Sequence, residues 1–255
     1  MCSFRAIDAF AIRLESPEPG DSRAVRLVLW DIDGTLVRTG PHGREAFGTA
    51  FAAVFGREVD VSDLPMAGRT DHAITMALLE EEGIDDRESH LDRVFTELTA
   101  ALEARREAIT ADGSATPGAR LALEALARRD DLTQSLLTGN LEVNAAMKLS
   151  AFGLAELVDL EIGGYGSDPH TTRSDLVGAA REKAARLRGI DVPAADTVLI
   201  GDTPLDVEAA HTAGARAVAV ATGPYSVEEL RETGAHAVLE DLSDLSALMA
   251  ALDRR

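Results

Sequence analysis

Ala24-Val25-Arg26-Leu27-Val28-Leu29-Trp30-Asp31-Ile32-Asp33-Gly34-Thr35-Leu36 is the stretch that decides the fold. Its first seven residues form a compact apolar run with β-branched members, the mark of a buried strand. The run ends in two acids at i and i+2 and a glycine that permits the chain to turn. Similar runs recur at Leu132 to Leu137, Val158 to Ile162, Thr197 to Ile200 and Ala217 to Ala221, with a weaker one at Ala235 to Leu239. Helical patterns separate them: Ala119 to Arg129, Leu141 to Ala151, Asp175 to Arg188, Leu205 to Ala213 and Val227 to Thr233. Gly214 and Gly234 stand where helices stop. This alternation predicts an α/β fold, a parallel sheet covered by helices on both faces. Right-handed crossovers bring every strand's C-terminal end to one edge, where such folds bind ligands.

The region from Pro41 to Asp112 breaks the pattern. It holds no convincing strand and three helical segments, Arg44 to Phe55, His72 to Gly83 and Leu91 to Ile109. The expected organisation is a flexible leader (1–24), a first core segment (25–40), a small all-helical domain (41–112) and the rest of the core (113–255). Glu80-Glu81-Glu82 and Asp85-Asp86 read as a solvated face.

Composition narrows the function. The 255 residues are 45% hydrophobic but only 4% aromatic, so the core is aliphatic. Acids outnumber bases 44 to 25, a formal charge of −19. That excess argues against nucleic acid or an anionic membrane as partner, since both require clustered Lys and Arg. An anionic small substrate needs a local positive charge, such as a metal. Cys2 is the sole cysteine, so no intrachain disulfide forms. No run of about 18 apolar residues exists, and the first two dozen residues lack a signal-peptide pattern. A cytoplasmic protein is expected.

The strand ends carry the chemistry. Asp31 and Asp33 follow the first strand; Gly201-Asp202-Thr203-Pro204-Leu205-Asp206 follows a later one; Leu136-Leu137-Thr138-Gly139-Asn140 ends a third. A lone strand-end aspartate is often a helix cap. Four carboxylates converging on one edge repel and take up protons unless a cation sits among them. Oxygen ligands without cysteine favour Mg²⁺.

The order DxDGT, then two apolar residues with Thr-Gly-Asn, then GDxxxD resembles the haloacid dehalogenase superfamily, over about Val25 to Leu252. It is most similar to the phosphoglycolate phosphatase-like branch, which carries a helical cap between the first and second motifs. The resemblance implies a Rossmann-like core, an aspartyl-phosphate nucleophile at Asp31 and a general acid and base at Asp33. It implies Mg²⁺ bound by Asp31, the backbone carbonyl of Asp33, Asp202 and, through water, Asp206. Thr138 and Gly139 are implied to hold phosphoryl oxygens, with Asn140 beside them on the substrate.

The family's third motif, a basic residue often within Lys-Pro-x-Pro, is absent as such. Arg173, ahead of a helix, and Lys148, on the helix after Thr138, are both candidates for the cation that balances the nucleophile. In the insert, Thr70 or Asp71 reads as an N-cap, and Arg69 as a residue brought down onto substrate. His42, His72 and His170 read as solvent-exposed loop residues, and Trp30 as core packing opposite the nucleophile. The function expected is a Mg²⁺-dependent phosphatase of a small phosphate monoester, phosphoglycolate-like or a sugar phosphate. A phosphomutase has the same core motifs, whereas a 2-haloacid dehalogenase leaves Asp33, Asp202 and Asp206 without a use. A phosphonate hydrolase requires a lysine in the insert, and 41–112 contains none. A non-catalytic acidic module should have lost a core acid, and none is missing. The sequence says nothing about oligomeric state.

Overall fold

A computed structural model describes residues 25–168 and 172–254; the leader, Cys2 and His170 lie outside them. Six strands form one parallel sheet: β1 (Arg26–Trp30), β4 (Leu132–Thr138), β5 (Gly164–Tyr165), β6 (Thr197–Gly201), β7 (Arg216–Val220) and β8 (Ala237–Leu239). Their order is β5-β4-β1-β6-β7-β8. β1, the strand that runs into Asp31, is therefore central, with Leu27 opposite Thr133 of β4 and Thr197 of β6.

Successive residues of β1 point to opposite faces, and the core divides accordingly. Val28 and Trp30 pack with Leu136, Ile200 and residues of α5 (Ala119–Leu126), α6 (Glu142–Ala151) and α10 (Leu245–Asp253). Leu27 and Leu29 pack on the other face with α7 (Arg173–Arg188), α8 (Pro204–Thr212) and Leu230 of α9 (Val227–Glu232). Trp30 is fully buried, and its indole N–H donates to Gln134 at 3.1 Å, so the one polar atom of the ring is satisfied.

Between β1 and β4 the chain builds α1 (His42–Phe55), α2 (Asp71–Glu81), α3 (Leu91–Ala104) and α4 (Arg106–Asp112). They bury a separate cluster including Phe47, Phe51, Leu78, Leu98 and Ile109, which Met147 of α6 joins. Each such side chain contributes about 1.5–3 kcal/mol by leaving water, which gives the insert a core of its own. Two short antiparallel strands, β2 (Val37–Arg38) and β3 (Ser114–Ala115), link it to the sheet. No helix among the described residues is long and apolar enough to cross a membrane.

Three expectations need correction. Val158–Ile162 is not a strand: Asp159 accepts the Glu161 amide and Ser135 holds the Asp159 carbonyl, winding the segment into 3₁₀ turns. The strand beside β4 comes later, at Gly164–Tyr165. The helix over Leu91–Ile109 breaks at Arg105 (φ −99°, ψ 3°), where its amide turns back to the Leu102 carbonyl. Neither His42 nor His72 is an exposed loop residue: His42 is 8% exposed on α1, 2.9 Å from Asp112 at the end of α4, and His72 is half-buried in the first turn of α2. Alternation alone missed β2, β3 and α10.

Candidate active site

The C-terminal edge of the sheet delivers the sequence's acids to one place. Asp31 leaves β1 with its amide still donating to the Ile200 carbonyl of β6, which fixes the first carboxylate against the neighbouring strand. Gly34 then turns at φ 88°, and a Cβ there would lie 2.3 Å from Asp202 Oδ2, so conformation and space both exclude a side chain. Asp202 follows β6 and accepts from the Thr35 hydroxyl at 3.0 Å. Asp206 stands one turn later; its Oδ2 closes a capping box with the Thr203 amide (3.0 Å) and hydroxyl (2.7 Å).

Among the described residues, Asp31, Asp202 and Asp206 form a buried group whose carboxylate oxygens lie within 4.8 Å of one another. Burial, then repulsion from Asp31 and Asp206, pushes the Asp202 carboxyl well above its ordinary range. The Asp31 carboxyl is raised too, chiefly by burial, against the pull of Arg173. A hard divalent cation relieves this crowding, and the all-oxygen donor set fits one. The Asp33 carboxylate lies outside the group.

Both candidate cations reach the site but serve different acids. Arg173, the first residue of α7, places Nη2 2.8 Å from Asp31 Oδ1 and Nε 3.0 Å from Asp206 Oδ1. Burial works against the guanidinium's charge, and Asp206 and Asp31 more than compensate, raising its pKa further. Lys148, buried on α6, donates instead to Asp33 Oδ2 at 2.6 Å and to Asn140 Oδ1 at 2.7 Å. Asn140 Nδ2 donates to Asp33 Oδ2 and Thr138 Oγ1, both at 2.8 Å. Asp33 is thus held by an ammonium and an amide, while Arg173 holds Asp31.

Apart from Asp206, these groups line one cavity of about 270 Å³ between sheet edge and helical insert. Phe47, Met66, Ile74 and Leu102 of the insert supply its apolar wall, and Arg69 reaches it as well. Arg69 donates to the Pro65 and Ala73 carbonyls at 3.3 Å and pairs with no carboxylate among the described residues. His42 and His72 do not line it. Sequence reasoning missed Arg44, which lines the cavity while donating to the Val61 and Leu64 carbonyls. An arginine on an amphipathic helix carries no signal that separates it from a solvated one.

A parallel sheet with an aspartate-rich C-terminal edge, two buried cations and a helical insert beside it defines a carboxylate-based site. The family model described as haloacid dehalogenase-like hydrolase matches residues 28–211, and the chain belongs to that family of enzymes. It is 28% identical over 227 residues to a phosphoglycolate phosphatase from Rhodospirillum rubrum, covering 86% of this chain and 89% of that one. A hydrolase from Pseudomonas syringae shares the fold at 23% identity and TM-score 0.62, covering 90% of this chain and 100% of that one. A predicted phosphatase from Clostridium acetobutylicum does so at 20% identity and TM-score 0.65, covering 89% of this chain and 98% of that one.

Proposed function

We propose that this hydrolase is a Mg²⁺-dependent phosphatase of small phosphate monoesters, phosphoglycolate-like or sugar phosphates, with residues 41–112 acting as a cap over the core. The observation that carries this is the pairing of two aspartates with two different cations in one small cavity. Asp31 sits with Arg173 and the acidic group, and Asp33 with Lys148 and Asn140. The separation suits two roles: a nucleophile beside the acidic group and a second carboxyl, set apart from it, that moves a proton. The name of the Rhodospirillum rubrum relative supports the substrate class.

Asp31 attacks phosphorus, forming an Asp31–O–P bond as the ester P–O bond breaks, while Asp33 gives its proton to the departing alcohol. Asp33 then takes a proton from water as that water attacks phosphorus. The acyl-phosphate bond breaks, inorganic phosphate leaves and both carboxyl groups are restored. Thr138 Oγ1 accepts two hydrogen bonds from Asn140, which leaves its own proton to donate to a phosphoryl oxygen, beside the Gly139 amide. Asp31 and Asp202, with Asp206 and the Asp33 carbonyl, would hold Mg²⁺, whose charge neutralises and orients the phosphoryl group. Arg173 opposes the rise that burial imposes on the Asp31 carboxyl and aims it. A cavity of about 270 Å³ is in keeping with a small ester, and covering it would exclude bulk water.

A panel of phosphoglycolate, sugar phosphates and p-nitrophenyl phosphate, assayed with Mg²⁺ and with excess chelator, tests this. Release of inorganic phosphate only with metal is the expected outcome. Halide release from 2-haloacids in chelator would overturn it in favour of dehalogenation. Isomerisation of a sugar phosphate without phosphate release would overturn it in favour of a mutase.

A further inference from the structure

Asp71 is a carboxylate that the mechanism above does not use. It opens α2 in the insert, yet it is only 6% exposed, and its neighbours belong to the core. Its amide donates to the Gly139 carbonyl at 2.8 Å, and its Oδ2 accepts from the Leu141 amide at 2.9 Å. Both partners lie on the Thr138–Leu141 loop, which the proposed phosphatase uses to hold phosphate. The end of α2 does not need this carboxylate, because Thr70 already caps it by accepting from the Ala73 amide. Asp71 is therefore free to cap another helix: Leu141 is the N-cap residue of α6, the helix that carries Lys148.

The fit is close. A Cβ on Gly139 would lie 2.2 Å from the Arg69 carbonyl and 2.6 Å from Thr70 Cα, so the insert's backbone rests directly on the loop. Behind it, a Cβ on Gly166 would meet the Gly139 carbonyl at 2.0 Å. The loop is gripped between insert and core, and Asp71 makes the hydrogen bonds that fix one side of the grip. Burial pushes its carboxyl up to about 6, against the attraction of Lys148 and the Leu141 amide.

We infer that Asp71 is a positioning residue: it latches the helical insert onto the Thr138–Leu141 loop, so that covering the cavity and ordering the phosphate-binding loop are one event. Only the kinetic half of this inference rests on the phosphatase reading. The test compares full-length wild type, Asp71→Ala and Asp71→Asn in Mg²⁺, by hydrogen exchange of the Leu141 amide and by kcat/KM on phosphoglycolate. Asp71→Ala should speed Leu141 exchange roughly tenfold or more and lower kcat/KM about 10- to 100-fold through a misplaced loop. Asp71→Asn keeps an oxygen for the amide and should stay within about fivefold of wild type on both. Asp71→Ser, too short to reach the amide, should repeat the alanine result and replaces it where alanine does not fold. Unchanged exchange and kcat/KM in a variant that only melts earlier would overturn the latch. Asparagine failing as badly as alanine would also overturn it. If wild type hydrolyses no phosphate ester, the phosphatase reading fails, and the exchange measurement still decides the role of Asp71.

Discussion

Replacing Arg173 with methionine removes the sole cation that, among the described residues, contacts Asp31 and Asp206, and leaves the apolar stem in place. The three side chains are 8%, 6% and 2% exposed, so water cannot substitute for the guanidinium. Breaking a buried ion pair by removing one partner costs about 3–5 kcal/mol, and here two carboxylates lose their partner while Asp202 repels both. For a chain of this size, each kcal/mol lowers Tm by roughly 2–4 °C, so the metal-free variant should melt about 6–20 °C below wild type. Thermal unfolding by circular dichroism at pH 7.5 in chelator reads this directly. Lowering the pH to 5.5 should narrow the gap, because the stranded carboxyl groups can then take up protons. Adding Asp31→Asn to Arg173→Met should recover part of the loss, with a coupling of about 1 kcal/mol or more. A melting temperature within about 2 °C of wild type, or strict additivity of the two substitutions, would refute the assigned pairing.

Other expectations follow from the same geometry. Asp33→Asn should depress hydrolysis of alkyl phosphates by about 10²–10⁴-fold and of p-nitrophenyl phosphate much less, because an aryl oxide leaves without a proton; equal losses in kcat would contradict the acid role. The carboxyl groups of Asp31 and Asp202 are raised in the fold, chiefly by burial, so the native state binds more protons than the unfolded chain above the ordinary carboxylate range. Metal-free stability should therefore fall as pH rises from about 4 through the raised values, and both Mg²⁺ and Asp202→Asn should flatten that slope in calorimetry. A slope unchanged by either would count against the crowded-carboxylate account. Arg69→Lys should raise KM for phosphoglycolate and leave p-nitrophenyl phosphate nearly unchanged, because the guanidinium fork matches a second anion that only the first ester carries. An equal effect on both would assign Arg69 to closure instead.

The fold was legible where the pattern has a strong physical cause. Apolar strands ending in acids marked β1 and β6, an apolar run ending in Thr138-Gly139-Asn140 marked β4, and the glycines after α8 and α9 marked their ends. Val158–Ile162 misled because apolar content does not distinguish a strand from 3₁₀ turns held by side-chain bonds to Asp159. The acids of the site were legible because strand ends in a parallel sheet share an edge. The division of labour between Lys148 and Arg173 was not, since it depends on where α6 and α7 begin relative to that edge. Asp71 looked like an alternative cap for its own helix; that it serves α6 depends on how the insert packs on the core, which no local pattern encodes.

The central claim is that Asp31 is the attacking group. Its most direct test is the turnover of Asp31→Asn on phosphoglycolate and p-nitrophenyl phosphate in saturating Mg²⁺, with folding checked by circular dichroism. A folded variant whose kcat falls about a thousandfold or more on both esters is the predicted result; a folded variant within about tenfold of wild type would contradict it.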